Sequence, residues 1–269
     1  MFHIVARTRH HALIANDAVE MCELWRRIHQ AIPGLEALCL MLNHLHLVHP
    51  RDVREALAAA LSGYTRWRNH RRGEQGPLFE ALPAAQPLAD AGKVRTAVRY
   101  THLNPCRAKL VRDPLAWPFS THLDAVGLTK EPVRPRHRAA VDFHAYVSSD
   151  PSVNVNGTDL PTVPRGDIPL VALLAATSVA LRVPADTALA PRTYAREVFL
   201  EAARAYSGRS ISEIARFSGV TERSVLRARS VAHAEIAALA GDPRLEPLDE
   251  TWWAGILRHW RGRPTVTRA

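Results

Sequence analysis

The segment Met41-Leu42-Asn43-His44-Leu45-His46-Leu47 constrains this chain more than any other. Side chains of a strand alternate between its two faces. Leu45 and Leu47 therefore point one way and the imidazoles of His44 and His46 the other. Such alternation predicts a strand with an apolar face in a core, and hence a domain that contains a sheet. Two imidazoles two residues apart on a rigid strand are also a ready-made pair of metal ligands. Alone, an H-x-H pair more often marks half-buried polar positions. Its company points further: Asn43 beside it, His3 in a neighbouring strand-like segment, and Tyr100-Thr101-His102-Leu103-Asn104-Pro105. On a helix Tyr100 and Asn104 are i and i+4 and share a face. A histidine pair, a phenol and an amide oxygen together suggest a metal-assisted tyrosine nucleophile. His102 is two positions from Tyr100 and faces elsewhere.

With 269 residues, 47% of them hydrophobic, the chain has material for one large or two modest domains and a packed core. Global disorder is excluded at that composition. The formal charge is +9, and it is uneven: residues 1–130 hold 17 basic and 11 acidic side chains (+6), the remainder 18 and 15 (+3). A basic surface attracts nucleic acid or anionic membrane, and charge alone does not choose between them. The longest apolar stretch, residues 168–180, is too short to span a bilayer. The opening residues 1–5 read as a strand rather than a charged leader. Cys22, Cys39 and Cys106 are scattered and odd in number, as expected of reduced packing residues in a cytoplasmic protein, and no C-x-x-C zinc spacing occurs.

Periodicity predicts a strand over 2–7, a helix over 17–30 ended by Pro33-Gly34, and strand-like chain over 35–48. A second helix follows from Val53 through Trp67 and Arg68 to the basic cluster Arg66, Arg68, Arg71 and Arg72. Gly73 and Gly76-Pro77 break it. Residues 78–88 read as loop with a short strand, and 90–103 as a helix stopped by Asn104-Pro105. The order predicts an α+β domain with helices on one side of an antiparallel or mixed sheet. Residues 131–167, rich in proline, read as a linker. Helical patterns return at about 168–182, 191–207, 210–217 and 221–238. The end of the chain, from 242, carries Trp252, Trp253 and Trp260 among Arg258, Arg261 and Arg263, which reads as a packing helix and a basic end.

Imidazoles favour Zn, Ni or Cu, whereas an amide oxygen and phosphate favour Mg or Mn, so ligand type leaves the metal open. A free phenol, with a pKa of about 10, is a poor nucleophile without help. A metal on a scissile phosphate gives that help through charge neutralisation and alignment. Arg95 and Arg99 stand near Tyr100 and are candidates for clamping phosphates; their bland alternative is a solvated helix face. The run Tyr64, Trp67, Arg68, Arg71, Arg72 suits single-stranded nucleic acid, with cations for the backbone and rings for stacking. Its bland alternative is a helix end whose arginines meet water.

The stretches MLNHLHLV (41–48), GPLF (76–79), RYTHLNPCRAKLV (99–111) and DPLAWPFSTH (113–122) together resemble the HUH-type single-tyrosine transposases, in particular the REP-associated tyrosine transposase branch. The resemblance covers about the first 125 residues. It implies a ferredoxin-like α+β domain in which His44 and His46 bind a divalent metal, Mg or Mn, with Asn104 as third ligand. It further implies that Tyr100 forms a 5′-phosphotyrosine link to single-stranded DNA. Two departures stand out: Leu42 replaces the usual proline, and residues 80–85, where the family carries arginine and aromatic side chains, hold no basic residue.

Farther on, 210–215 reads as a short helix, Ser218-Gly219-Val220 as a turn and 221–232 as a second helix. This is helix-turn-helix spacing, with Thr221, Arg223, Ser224 and Arg227 toward a major groove. Any small helical hairpin also places a small residue and a glycine there. With the helix from Leu170, the region resembles the DNA-binding C-terminal domain of the bacterial replication initiator. The expected organisation is a transposase domain at 1–130, a linker at 131–167, an all-α DNA-binding domain at 168–241 and a tail at 242–269. Expected partners are single-stranded or hairpin DNA, and duplex DNA through the helix-turn-helix. Membrane is not expected, and the protein is expected as a cytoplasmic monomer or homodimer. The rival reading is a domesticated regulator that binds DNA without cutting it.

Overall fold

The computed structural model describes residues 1–129, 139–155, 157, 159–228, 233–246 and 248–261. The first half follows the order β1 (Phe2–Arg7), α1 (Ala18–Ala31), β2 (Ala37–Leu40), β3 (His44–His49), α2 (Arg54–Arg72), β4 (Gln86–Pro87) and α3 (Ala91–Arg107). The four strands form one antiparallel sheet in the order β2-β3-β1-β4. The class is α+β, a small antiparallel sheet among many helices. Ile4 and Ala6 of β1 and Leu45 and Leu47 of β3, on one face, are fully buried. On the other face, α3 packs against β2 and β3. α1 and α2 pack on each other, and the Tyr64 hydroxyl donates to the Ile14 carbonyl at 2.7 Å. Asp17 caps α1 by accepting from the Glu20 amide.

Two sequence expectations fail locally. The strand-like stretch 35–48 is a hairpin, turned at Met41 to Asn43 by a Met41 N–H to His44 carbonyl bond of 2.8 Å. The helix expected to stop at Asn104-Pro105 runs through the proline to Arg107. Proline there forfeits one bond in the last turn. Thr101 to Cys106 are all buried, and that packing outweighs the loss.

α4 (His122–Ala125) closes the first half, and the second half is helical: α5 (Ala140–Ser148), α6 (Leu170–Leu181), α7 (Ala185–Ala188), α8 (Tyr194–Tyr206), α9 (Ile211–Ser218), α10 (Glu222–Arg227), α11 (Ala234–Ala240) and α12 (Glu250–Arg261). α6 packs on α8 and α11, and α9 on α10. The halves are not separated by a simple linker. α5 lies inside the segment read as one, and its Phe143 ring packs against His102 and His122; Pro132 and Pro135 lie outside the described residues. Arg182, left-handed at the end of α6 (φ 51°), reaches into the first half. It donates to the Pro118 and Ser120 carbonyls, pairs with Asp124 and lies 4.2 Å over the Trp25 ring. Trp252 and Trp253 of α12 pack on Phe119, and Trp252 on Trp117. Arg263 lies outside the described residues.

Candidate active site

The antiparallel register sets Arg7 opposite His44 and Val5 opposite His46. Period-two alternation then gathers His3, Arg7, His44 and His46 on the sheet face that α3 covers. His3 Nε2 and His46 Nδ1 are 3.1 Å apart, with rings stacked at 5.3 Å. The His44 ring meets His46 edge-on at 5.0 Å. His44 Nδ1 lies 2.7 Å from Asn43 Oδ1. That oxygen only accepts, so Nδ1 carries the proton and Nε2 keeps its lone pair.

Charge on these rings is strongly disfavoured. Burial lowers the His46 pKa to about 2, helped by repulsion from His44, His3 and Arg7. Burial, then Arg7, lowers His44 to about 4, and burial also lowers His3. At neutral pH all three are neutral imidazoles, the form that ligates metals.

α3 delivers the other components. The Tyr100 ring stands edge-on to His46 at 5.4 Å and is 40% exposed. Asn104, one turn on and buried, donates from Nδ2 to the Tyr100 carbonyl at 3.0 Å, which leaves its oxygen for a ligand. The chemistry of the donors suits a divalent ion: two imidazoles, each with Nδ1 engaged by a neighbour, and, on the helix that brings Tyr100 to His46, an amide oxygen with no protein partner among the described residues. Among the described residues no group of three His, Cys, Asp or Glu is placed to hold a metal. His102 does face away, buried against Ser120 at 3.1 Å.

The chain matches no family model and no curated protein. Among solved structures it is similar to a REP-associated tyrosine transposase bound to a REP hairpin. That match has 16% identity, covers 47% of this chain and 79% of that one, and has a TM-score of 0.36.

The expected arginine platform on α2 does not form as such. Arg68 is buried and pairs with Glu74 at 2.7 Å, Arg71 pairs with Asp17 at 2.8 Å, and Arg72 pairs with Glu20. The acidic side chains of α1 and of the turn after α2 take these charges because the two helices pack together. Arg95 is exposed, whereas Arg99 pairs with Asp150 and lies over the Tyr146 ring. In the second half, Gly219 (φ 66°) ends α9 in the left-handed conformation, and Thr221 caps α10. Thr221, Arg223, Ser224 and Arg227 are all exposed. α10 ends at Arg227, short of the helix expected to 232, with Arg204 donating to the carbonyls of Val225, Leu226 and Ala228; residues 229–232 lie outside the described set.

Arg107, which the sequence reading did not single out, stands beside Tyr100. Its guanidinium covers the Tyr100 ring at 5.3 Å. The signal was present, since Tyr100, Asn104 and Arg107 are i, i+4 and i+7 on one helical stripe. Ending the helix at Pro105 hid it.

Proposed function

We propose that this chain cleaves and rejoins single-stranded DNA through a covalent link to Tyr100, as a single-tyrosine transposase of the HUH type. The observation that carries the reading is the juxtaposition of Tyr100 with the His44–His46 pair, made by two elements far apart in sequence. The β-α-β-β-α-β order with strands β2-β3-β1-β4, which is the ferredoxin-like arrangement, supports it. So does the +9 charge.

In this reading the Tyr100 hydroxyl attacks a backbone phosphorus. An Oη–P bond forms, the bond from phosphorus to the 3′ oxygen breaks, and the phenol proton is balanced by the proton gained at that leaving oxygen. His44, His46 and Asn104 hold a divalent ion, Mg or Mn. When bound, that ion supplies Lewis-acid neutralisation of the phosphate. His3 and Asn43 orient the two imidazoles, and α3 fixes Tyr100 over them. The exposed ring edge leaves room for a strand to approach. Arg223 and Arg227, with the N-cap Thr221 and Ser224, whose amide it caps, form the exposed face at α10 and hold duplex DNA as the second element of a helix-turn-helix.

The exposed α10 arginines also suit a regulator that binds DNA without cutting it. Incubation with Mn²⁺ and labelled hairpin and single-stranded DNAs, followed by denaturing gels, separates the two. A protein–DNA adduct that disappears in Tyr100→Phe is the expected result. Binding without any adduct would establish the regulator instead.

A further inference from the structure

Asp150, two residues after α5, points its carboxylate at the helix that carries Tyr100. Its Oδ2 lies 2.7 Å from Arg107 Nη2 and 3.6 Å from Arg99 Nε. The Arg107 guanidinium covers the Tyr100 ring, and that of Arg99 lies 5.0 Å over Tyr146 of α5. The other carboxylate oxygen accepts from the Ser152 amide at 3.0 Å and the Ser152 hydroxyl at 2.6 Å. Its own turn therefore aims the group. The Asp150 side chain is only 9% exposed, while those of Arg107 and Arg99 are 30% and 26% exposed. A buried anion thus sits between two cations that solvent still reaches, beside a half-open phenol.

Guanidinium groups recognise carboxylates and phosphates with the same planar fork. A phosphodiester carries the same single charge as Asp150, and a strand lying against Tyr100 brings one to this position. We infer that Arg99 and Arg107 form a phosphodiester-binding site next to Tyr100, which Asp150 fills from within the chain. A DNA strand then gains this site by exchanging its phosphate for the Asp150 carboxylate, which releases the end of α5 from α3. The ligand assignment rests on the strand-cleavage reading above.

The test measures binding in a Tyr100→Phe background, where no covalent chemistry intervenes. Labelled oligo(dT) is followed by fluorescence anisotropy and inorganic pyrophosphate by calorimetry. Asp150→Asn is expected to tighten both by roughly tenfold, since two arginines lose their internal counter-ion. Its oligo(dT) affinity should also fall more steeply with salt, by up to about 0.7 in log–log slope, because binding the phosphate no longer sets free an anionic carboxylate that offsets the neutralised charge. Ser152→Ala removes the hydroxyl half of the carboxylate's anchor, leaving the backbone amide, and should shift both in the same direction, more weakly; it carries the test alone if Asp150→Asn does not fold. Adding Arg107→Gln should cancel the gain. Unchanged affinities and slope in the folded variants would make Asp150 a structural counter-ion and overturn the inference. Tighter pyrophosphate binding with no oligo(dT) binding by any variant would overturn the DNA assignment and the strand-cleavage reading with it. Loss of the adduct alone would leave this site intact.

Discussion

His44 shows how much of a site's chemistry sits one residue away from it. Asn43 Oδ1 fixes the tautomer by holding the Nδ1 proton, so Asn43→Ala removes the group that aims Nε2. Such supporting contacts are typically worth 10- to 100-fold in metal affinity. Titration calorimetry with Mn²⁺ should show a loss in that range, and an unchanged affinity would remove Asn43 from the site. A second histidine group bears on stability. His102, His122 and His144 are buried, with His122 Nε2 and His144 Nδ1 2.9 Å apart and one nitrogen on each of the three rings without a partner. Burial lowers the His102 pKa to about 3 and lowers the other two. In the unfolded chain these rings take up protons near pH 6.5. Below that the unfolded state binds protons that the native state refuses, so stability is full above pH 6.5 and declines as pH falls toward the folded pKa. The His102 ring contributes about 1.4 kcal/mol per pH unit across that window. Urea melts between pH 6 and 4 should show His102→Leu with a slope shallower by about that amount, whatever its effect at neutral pH.

Among the elements, α3 and the α9–α10 pair matter most. α3 carries Tyr100, Asn104 and Arg107 on one stripe because buried packing from Thr101 to Cys106 holds it helical across Pro105. The α9–α10 turn depends on Gly219. A Cβ there would meet no atom within 4 Å, so the cost of substitution is purely that of the left-handed backbone. Gly219→Ala should lose about 1–2 kcal/mol in denaturant melts. Double substitution of Arg223 and Arg227 by Ala leaves the turn alone. It should weaken duplex binding and flatten its salt dependence by about 0.9 in log–log slope for each phosphate no longer neutralised; an unchanged slope would exclude α10 as the face that meets DNA.

Across the whole molecule, Arg182 does what a linker cannot. Its buried pair with Asp124, its two carbonyl hydrogen bonds and its place over Trp25 tie α6 to the sheet domain. Removing one partner of a buried pair leaves an uncompensated charge and typically costs about 3–5 kcal/mol. Arg182→Ala should lose about that much in denaturant melts. The paired change with Asp124→Leu should recover part of it. A loss below about 1 kcal/mol would show that the halves hold together without this ion pair. The tryptophans of α12 form a second seam, against Trp117 and Phe119.

Local periodicity in the sequence determined the strand that carries His44 and His46, the stripe that pairs Tyr100 with Asn104, and most of the helices. Those follow from alternation and turn residues, which act over a few positions. Only the tertiary structure decided what stands opposite what. Arg68, Arg71 and Arg72 look the same in sequence whether they face water or Glu74, Asp17 and Glu20. Pro105 ends a helix on propensity, and continues one when its turn is buried. Asp150 lies in a segment whose composition reads as linker, and nothing near it in sequence signals two arginines on α3. Long-range burial and charge pairing carry no local signature, and they place the cations, the acid and the phenol of this site.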